Sequence, residues 1–210
     1  MRAPGRKDLV VLVADAQQEA TLRTLLTQRT PSLRIRPVTF DVYRHPRQDP
    51  GVYHQAADFL ATYVPPAYAH ALVLLDAAWE GAPGDADMLR TDLLRRLHLK
   101  GWSADRCQVV VISPELEAWA WADSPAVPEV LRTSWTDIRA LADRHGGWPE
   151  GHAKPNDPKA LLEAVLRQQG RPRSAAIFQE LAGRVGLAAC TDPAFVLLHE
   201  TLVGWFGDDK

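Results

Sequence analysis

The chain opens with an uninterrupted apolar run. Leu9 to Val13 are all aliphatic, and the run closes at Ala14-Asp15. A continuous apolar stretch, rather than an alternating one, predicts a strand buried on both faces. The stretch from His70 to Leu75, ending in Asp76, and the stretch 108–112 read the same way. A further segment alternates, with Leu33, Ile35 and then Val38 and Phe40 apolar. It predicts a strand near a sheet edge, because Pro37 has no N–H to give a neighbour. Between these runs the apolar spacing becomes helical. Leu22, Leu25 and Leu26 predict a helix over 17–28, and Leu89, Leu93, Leu94 and Leu97 a strong one over 85–100. Asp49-Pro50 reads as an N-cap followed by proline at the first helical position, so a helix is expected over 51–63. Strands that alternate with helices imply a mainly parallel sheet, here of about four strands, with helices on both faces.

After Pro114 no further strand is predicted. Helices are expected over 114–122, 126–132, 135–145, 157–169, 174–184 and 193–206. Asn156-Asp157-Pro158 and Asp192-Pro193 mark two of their starts. The segment HGGWPEGHAKPND is a Gly/Pro-rich loop between two of them. The pattern as a whole is α/β, followed by a helical C-terminal part.

Composition narrows the setting. The 210 residues are 46% hydrophobic and 24% charged, an ordinary globular mixture. The net charge of -2 announces no overall basic field for nucleic acid or a membrane, though a local patch stays open. Cys107 at a strand start and Cys190 between helices have no partner at metal-ligand spacing, so a reducing compartment is expected. The first apolar run is too short for a signal-peptide core or a membrane span, and a cytoplasmic protein with no membrane partner is expected. The chain lacks GxxxxGK[ST], GxGxxG after the first strand, HExxH and paired CxxC, which argues against P-loop hydrolysis and dinucleotide redox chemistry. It also lacks a nucleophile-elbow sequence.

In an open α/β sheet, ligands sit outside the carboxyl ends of the strands. Asp15 and Glu19 follow the first strand, Asp76 and Glu80 the third, and Glu115 and Glu117 the fourth. Carboxylates delivered to one rim from three strand ends suit Mg²⁺ or Mn²⁺, which prefer hard oxygen ligands. Such an ion can polarise a phosphoryl group or activate water. Asp15, Asp76 and Glu117 are the expected holders, Glu115 a neighbouring ligand, and Glu19 or Glu80 a further ligand or base. Each acid also has a plainer reading. Asp15 can end its strand in a turn, Glu19 and Glu115 can favour a helix N-terminus, and Glu80 can be a solvated loop acid. Trp119 and Trp121 read as core or interface residues. Phosphate-facing candidates are His45, Arg44, Arg47, Lys154, Arg171 and Arg173, with His45 and Asp49 able to orient each other or touch a ligand. An ordinary loop position is the plain alternative for each.

This order of strands and acids resembles a Toprim domain, the catalytic fold of topoisomerases, primases and overcoming-lysogenization-defect nucleases. The residues that carry the likeness are Asp15 with Glu19, Asp76, and Glu115-Leu116-Glu117 before Ala118-Trp119. More closely, the chain looks like the small Toprim-like proteins of the DUF4276 kind. The segments HPRQDPG, PELEAWAWADSP, Lys154-Pro155, RPRSAAIFQELAGRV and CTDPAF are similar to a small component of bacterial methylation-associated anti-phage defence systems. The resemblance spans almost the whole chain. It implies a Toprim-like core over 1–125 and a helical extension over 126–210 packed on it. It implies Mg²⁺- or Mn²⁺-dependent cleavage of a nucleic-acid phosphodiester, with Asp15, Glu19, Asp76 and Glu117 catalytic and His45, Asp49, Lys154 and Arg173 at the substrate. Other defence-system proteins are the implied partners. Two departures matter: Asp15 stands where the pattern has glutamate, and Asp76-Ala77-Ala78 where it has Asp-x-Asp, so one ligand is missing unless Glu80 replaces it. A catalytically degenerate interaction or sensor subunit is therefore the alternative expectation, and an enzyme acting on a small phosphorylated molecule a third.

Overall fold

The computed structural model describes residues 6–64, 67–145, 147–187 and 190–207. Four strands, β1 (Lys7–Val13), β2 (Phe40–Arg44), β3 (Tyr68–Asp76) and β4 (Cys107–Ile112), form one sheet in the order β2-β1-β3-β4. Every pairing is parallel, with Leu9 opposite Phe40 on one side and His70 on the other. Helices α1 (Ala16–Gln28), α2 (Thr30–Leu33), α3 (Gln48–Ala61) and α4 (Ala86–Leu99) connect the strands. After β4 come a 3₁₀ turn (Leu116–Trp121) and then α5 (Ala126–Leu131), α6 (Trp135–Ala142), α7 (Pro158–Gln168), α8 (Ala175–Arg184) and α9 (Pro193–Phe206). The α/β architecture with a helical C-terminal part is thus the one the pattern predicts.

The continuous apolar runs are explained by burial on both faces. Leu9, Val11, Val13, Leu72 and Leu74 pack under α1 and the C-terminal helices. Val10, Leu12, Val73 and Leu75 pack under α3 and α4. Each such side chain, removed from water, contributes about 1.5–3 kcal/mol. Handedness assigns the helices to their faces. The chain leaves β1 for β2 on one side, then crosses back to β3 on the other. Right-handed crossovers in opposite directions put α1 on one face and α3 and α4 on the other. The connections part where β1 and β3 lie side by side. That is the topological switch point, where a crevice opens at the carboxyl ends.

Three local expectations are corrected. The alternating segment is a strand only from Phe40. Leu33 and Ile35 are buried, but Thr30–Leu33 is a helical turn and Ile35 makes an isolated bridge to Gly207. Alternation could not separate these because both geometries bury the same two side chains. Helix α3 begins at Gln48 with Arg47 as its cap, so Asp49 is not the N-cap and its carboxylate is free for another donor. Ser113-Pro114 does not open a helix; it is a cis peptide, and the segment beyond it is a short 3₁₀ turn. Asp157 and Asp192 do cap α7 and α9 through their side chains, as read. Among the described residues no helix is long and apolar enough to cross a membrane.

Candidate metal centre

The switch point collects the acids. Asp15 follows β1, Asp76 is the last residue of β3, and Glu115 and Glu117 follow β4. Asp76, Glu115 and Glu117 each bring one carboxylate oxygen within 4.8 Å of the others, and they are the one such group found among the described residues. The expected trio is therefore corrected at one position: Glu115 replaces Asp15. The reason is local. Asp15 caps α1, accepting from Gln17 N–H at 2.9 Å and Gln18 N–H at 2.8 Å, which turns its carboxylate onto the helix start. It still lines the same cleft, a space of about 740 Å³ shared with Asp49, Asp76, Glu115, Arg44, Lys159 and Arg173.

Asp76 is buried and tied on two sides. Its N–H donates to Asp49 Oδ1 at 2.8 Å, and its Oδ1 accepts from Gln18 Nε2 at 3.0 Å. Gln18, itself fully buried, accepts from Ala14 N–H at 2.9 Å, so one amide links the ends of β1 and β3. Burial holds the Asp76 carboxyl well above the usual range, and the charges of Asp49, Glu117, Asp15 and Glu115 push the same way. Burial also raises Asp49, against the N–H of Asp76. Burial raises Glu117 as well, and the Arg173 charge only partly opposes it.

Glu117 is the unusual member. It has no exposed surface, and neither oxygen accepts a well-formed hydrogen bond. Arg173 Nη2 lies 2.5 Å from Oε1 but not in hydrogen-bond geometry. Buried carboxylates normally have such partners. Glu115 is paired with Lys159 Nζ at 2.7 Å. The centre is thus a crowd of acids at the strand ends with cations along one wall. Hard oxygen donors in this number fit Mg²⁺ or Mn²⁺, and a cation among them would relieve the like-charge repulsion.

The remaining expected residues divide. Glu19 does not join the centre: it is ion-paired to Arg23 and Arg44, each at 2.8 Å, because one turn into α1 it faces the end of β2. Glu80 is exposed in the turn after β3 and outside the acid group, so it does not replace the missing second aspartate. Lys154 is not at the cleft; its ammonium pairs with the buried Asp192 at the start of α9. Arg173 and Asp49 are at the cleft, as expected. His45 also lines it, but its partners are not Asp49. Its Nδ1 accepts from Arg47 N–H at 3.2 Å and its Nε2 donates to Gln55 Oε1 at 2.9 Å, a neutral tautomer assigned from these bonds. The ring lies so close over Gly51 that a Cβ there would overlap it. Gln18 and Lys159 escape sequence reasoning. No motif marks Lys159, and the one cue for Gln18 is a polar residue on the buried side of α1.

Trp119 and Trp121 are buried, as read, and join the 3₁₀ turn to the helices beyond it. Trp119 Nε1 donates to Asp192 Oδ1 at 3.0 Å and Trp121 Nε1 to the Pro158 carbonyl at 2.9 Å. Comparison with family models, with curated proteins and with solved structures finds nothing that matches this chain.

Proposed function

We propose that the cleft is a divalent-metal-dependent phosphoryl-transfer centre that cleaves phosphodiesters of nucleic acid, in a Toprim-like cytoplasmic protein of prokaryotic anti-phage defence. The observation that carries the reading is the convergence of Asp76, Glu115 and Glu117 within 4.8 Å, with Glu117 buried and lacking a formed hydrogen bond. Asp76, Glu115 and Glu117 would hold Mg²⁺ or Mn²⁺, which would supply charge neutralisation at a phosphoryl oxygen and acidify a water. Gln18 and Asp49 fix the orientation of Asp76 from either side. Arg44, Lys159 and Arg173 line the cleft and offer charge-assisted hydrogen bonds to a phosphate. Asp15, while capping α1, lines the same space.

Calorimetric titration with Mn²⁺ tests the metal, and incubation with plasmid, single-stranded DNA and RNA tests the reaction. Binding in the wild type, abolished in Glu117→Gln together with cleavage, is the expected result. Wild-type protein that binds no ion at millimolar Mn²⁺ and leaves every substrate intact would overturn the reading. One observation favours a second reading, a catalytically degenerate interaction or sensor subunit working with other defence proteins. Lys159 and Arg173 already neutralise Glu115 and Glu117 from within the chain. The same pair of measurements separates the two.

A further inference from the structure

A second cleft, of about 450 Å³, opens in the helical part between the 3₁₀ turn, α6 and the loop before α7. Its size falls in the range of small-ligand pockets. Three tryptophans build it. Trp148 meets Trp121 edge-on at 5.7 Å and Trp135 edge-on at 6.1 Å. The indole N–H groups of Trp121 and Trp148 are spent on the carbonyls of Pro158 and His152, at 2.9 and 2.8 Å. Two of the three rings are therefore locked in place. Trp135 is only half-buried where it borders the cleft. The exposed Arg139 guanidinium lies 3.8 Å from the Trp148 centroid, so the wall already accepts one planar polar group stacked on an indole. At the rim stands Asp123, exposed.

These features select among aromatic-pocket ligands. A quaternary ammonium would meet the Arg139 charge and be repelled. A phenyl ring would stack but leave Asp123 and Arg139 without a role. A nucleobase uses all of them. Its face stacks on the half-buried Trp135, its exocyclic amino group donates to the Asp123 carboxylate, and its phosphate is drawn by the exposed Arg139. We infer that this tryptophan cleft is a stacking site for one amino-bearing nucleobase, separate from the acid centre. The base comes from a free mononucleotide or from a single strand.

Tryptophan fluorescence, titrated in EDTA so that no divalent ion fills the acid centre, tests the site, and the variants below separate its quenching from any at Trp79. The ligands are cytidine, adenosine and thymidine monophosphates and a short single-stranded oligonucleotide. Saturable quenching is expected, with cytosine or adenine bound about fivefold tighter than thymine through the amino contact. Trp135→Ala weakens binding roughly tenfold, the loss of one stacked base. Asp123→Ala, an exposed change that leaves the fold alone, keeps the quenching and removes the preference. Quenching by mononucleotides assigns the site to free nucleotide, and quenching by the oligonucleotide alone assigns it to a strand. No saturable quenching by any ligand, in wild-type protein with an intact melting transition, overturns the inference. Quenching unchanged in both variants also overturns it, because the ligand then sits elsewhere.

Discussion

Arg173 faces two ways at once. It lines the cleft, and its guanidinium is the charge that compensates Glu117, which is wholly buried. Removing one partner of a buried pair leaves an uncompensated charge, at a cost of about 3 kcal/mol or more. Arg173→Ala should lose about that much stability to urea in EDTA and recover much of it in Mn²⁺, because a ligand of the native state stabilises by mass action. The same variant should bind Mn²⁺ more tightly and oligonucleotides more weakly than wild type, by calorimetry. Weaker Mn²⁺ binding would show that Arg173 supports the metal rather than competing with it. Asp8, at the other end of the sheet, gives the pH behaviour. Burial pushes its carboxyl up, but hydrogen bonds from Arg36 and Thr39 outweigh burial and bring it from 3.8 down to about 2. A lowered folded-state value adds stability that is fully present above the unfolded value and is lost as pH falls through the folded one. The wild type should therefore shed on the order of 2 kcal/mol between about pH 4 and pH 2. Asp8→Asn should lack this acid-dependent step and be weaker at neutral pH, as urea unfolding at several pH values will show.

Among the elements, the 3₁₀ turn after β4 has the largest consequence. Six residues carry Glu117 into the acid centre and both Trp119 and Trp121 into the helical part. Asp192 is where that turn meets α9. Its Oδ1 accepts from Ala194 N–H at 2.9 Å and Phe195 N–H at 3.2 Å and also receives Trp119, while Oδ2 takes the Lys154 ammonium. Asp192→Ala removes a cap worth about 1 kcal/mol and the counter-charge of a half-buried lysine. It should destabilise by about 3 kcal/mol, and Asp192→Ser, which restores the cap alone, should recover only the smaller share. An Asp192→Ser variant as stable in urea as the wild type would mean that the lysine pair contributes nothing.

At the scale of the whole molecule, the sheet cannot be finished without the helices that follow it. Leu9, Val11, Val13, Leu72 and Leu74 share one apolar cluster with Leu161, Leu162, Phe178 and Leu198. A chain ended after residue 125 would expose that sheet face and should not fold cooperatively, as near-ultraviolet circular dichroism and urea titration can record. The intact chain should unfold in a single transition, with tryptophan fluorescence and far-ultraviolet circular dichroism coincident. Two separated transitions would show that the sheet and α1 hold together without the later helices.

Periodicity by itself determined the three buried strands, the long helices between them and the parallel order, because continuous apolar runs have few ways to be buried; it ran the edge strand back into the helical turn at Thr30–Leu33. It also determined that carboxylates from three strand ends would meet at one rim, since parallel strands all point their carboxyl ends the same way. What it left open needed distances. Whether Asp15 or Glu115 completes the group with Asp76 and Glu117 turned on which carboxylate is spent on a helix start, and both are acids close after a strand. Lys154 and Arg173 look alike as loop cations, yet one neutralises a helix cap and the other a buried glutamate. The tertiary structure decided these because pair energies depend on separation and burial, and sequence spacing carries neither once the chain has crossed between elements.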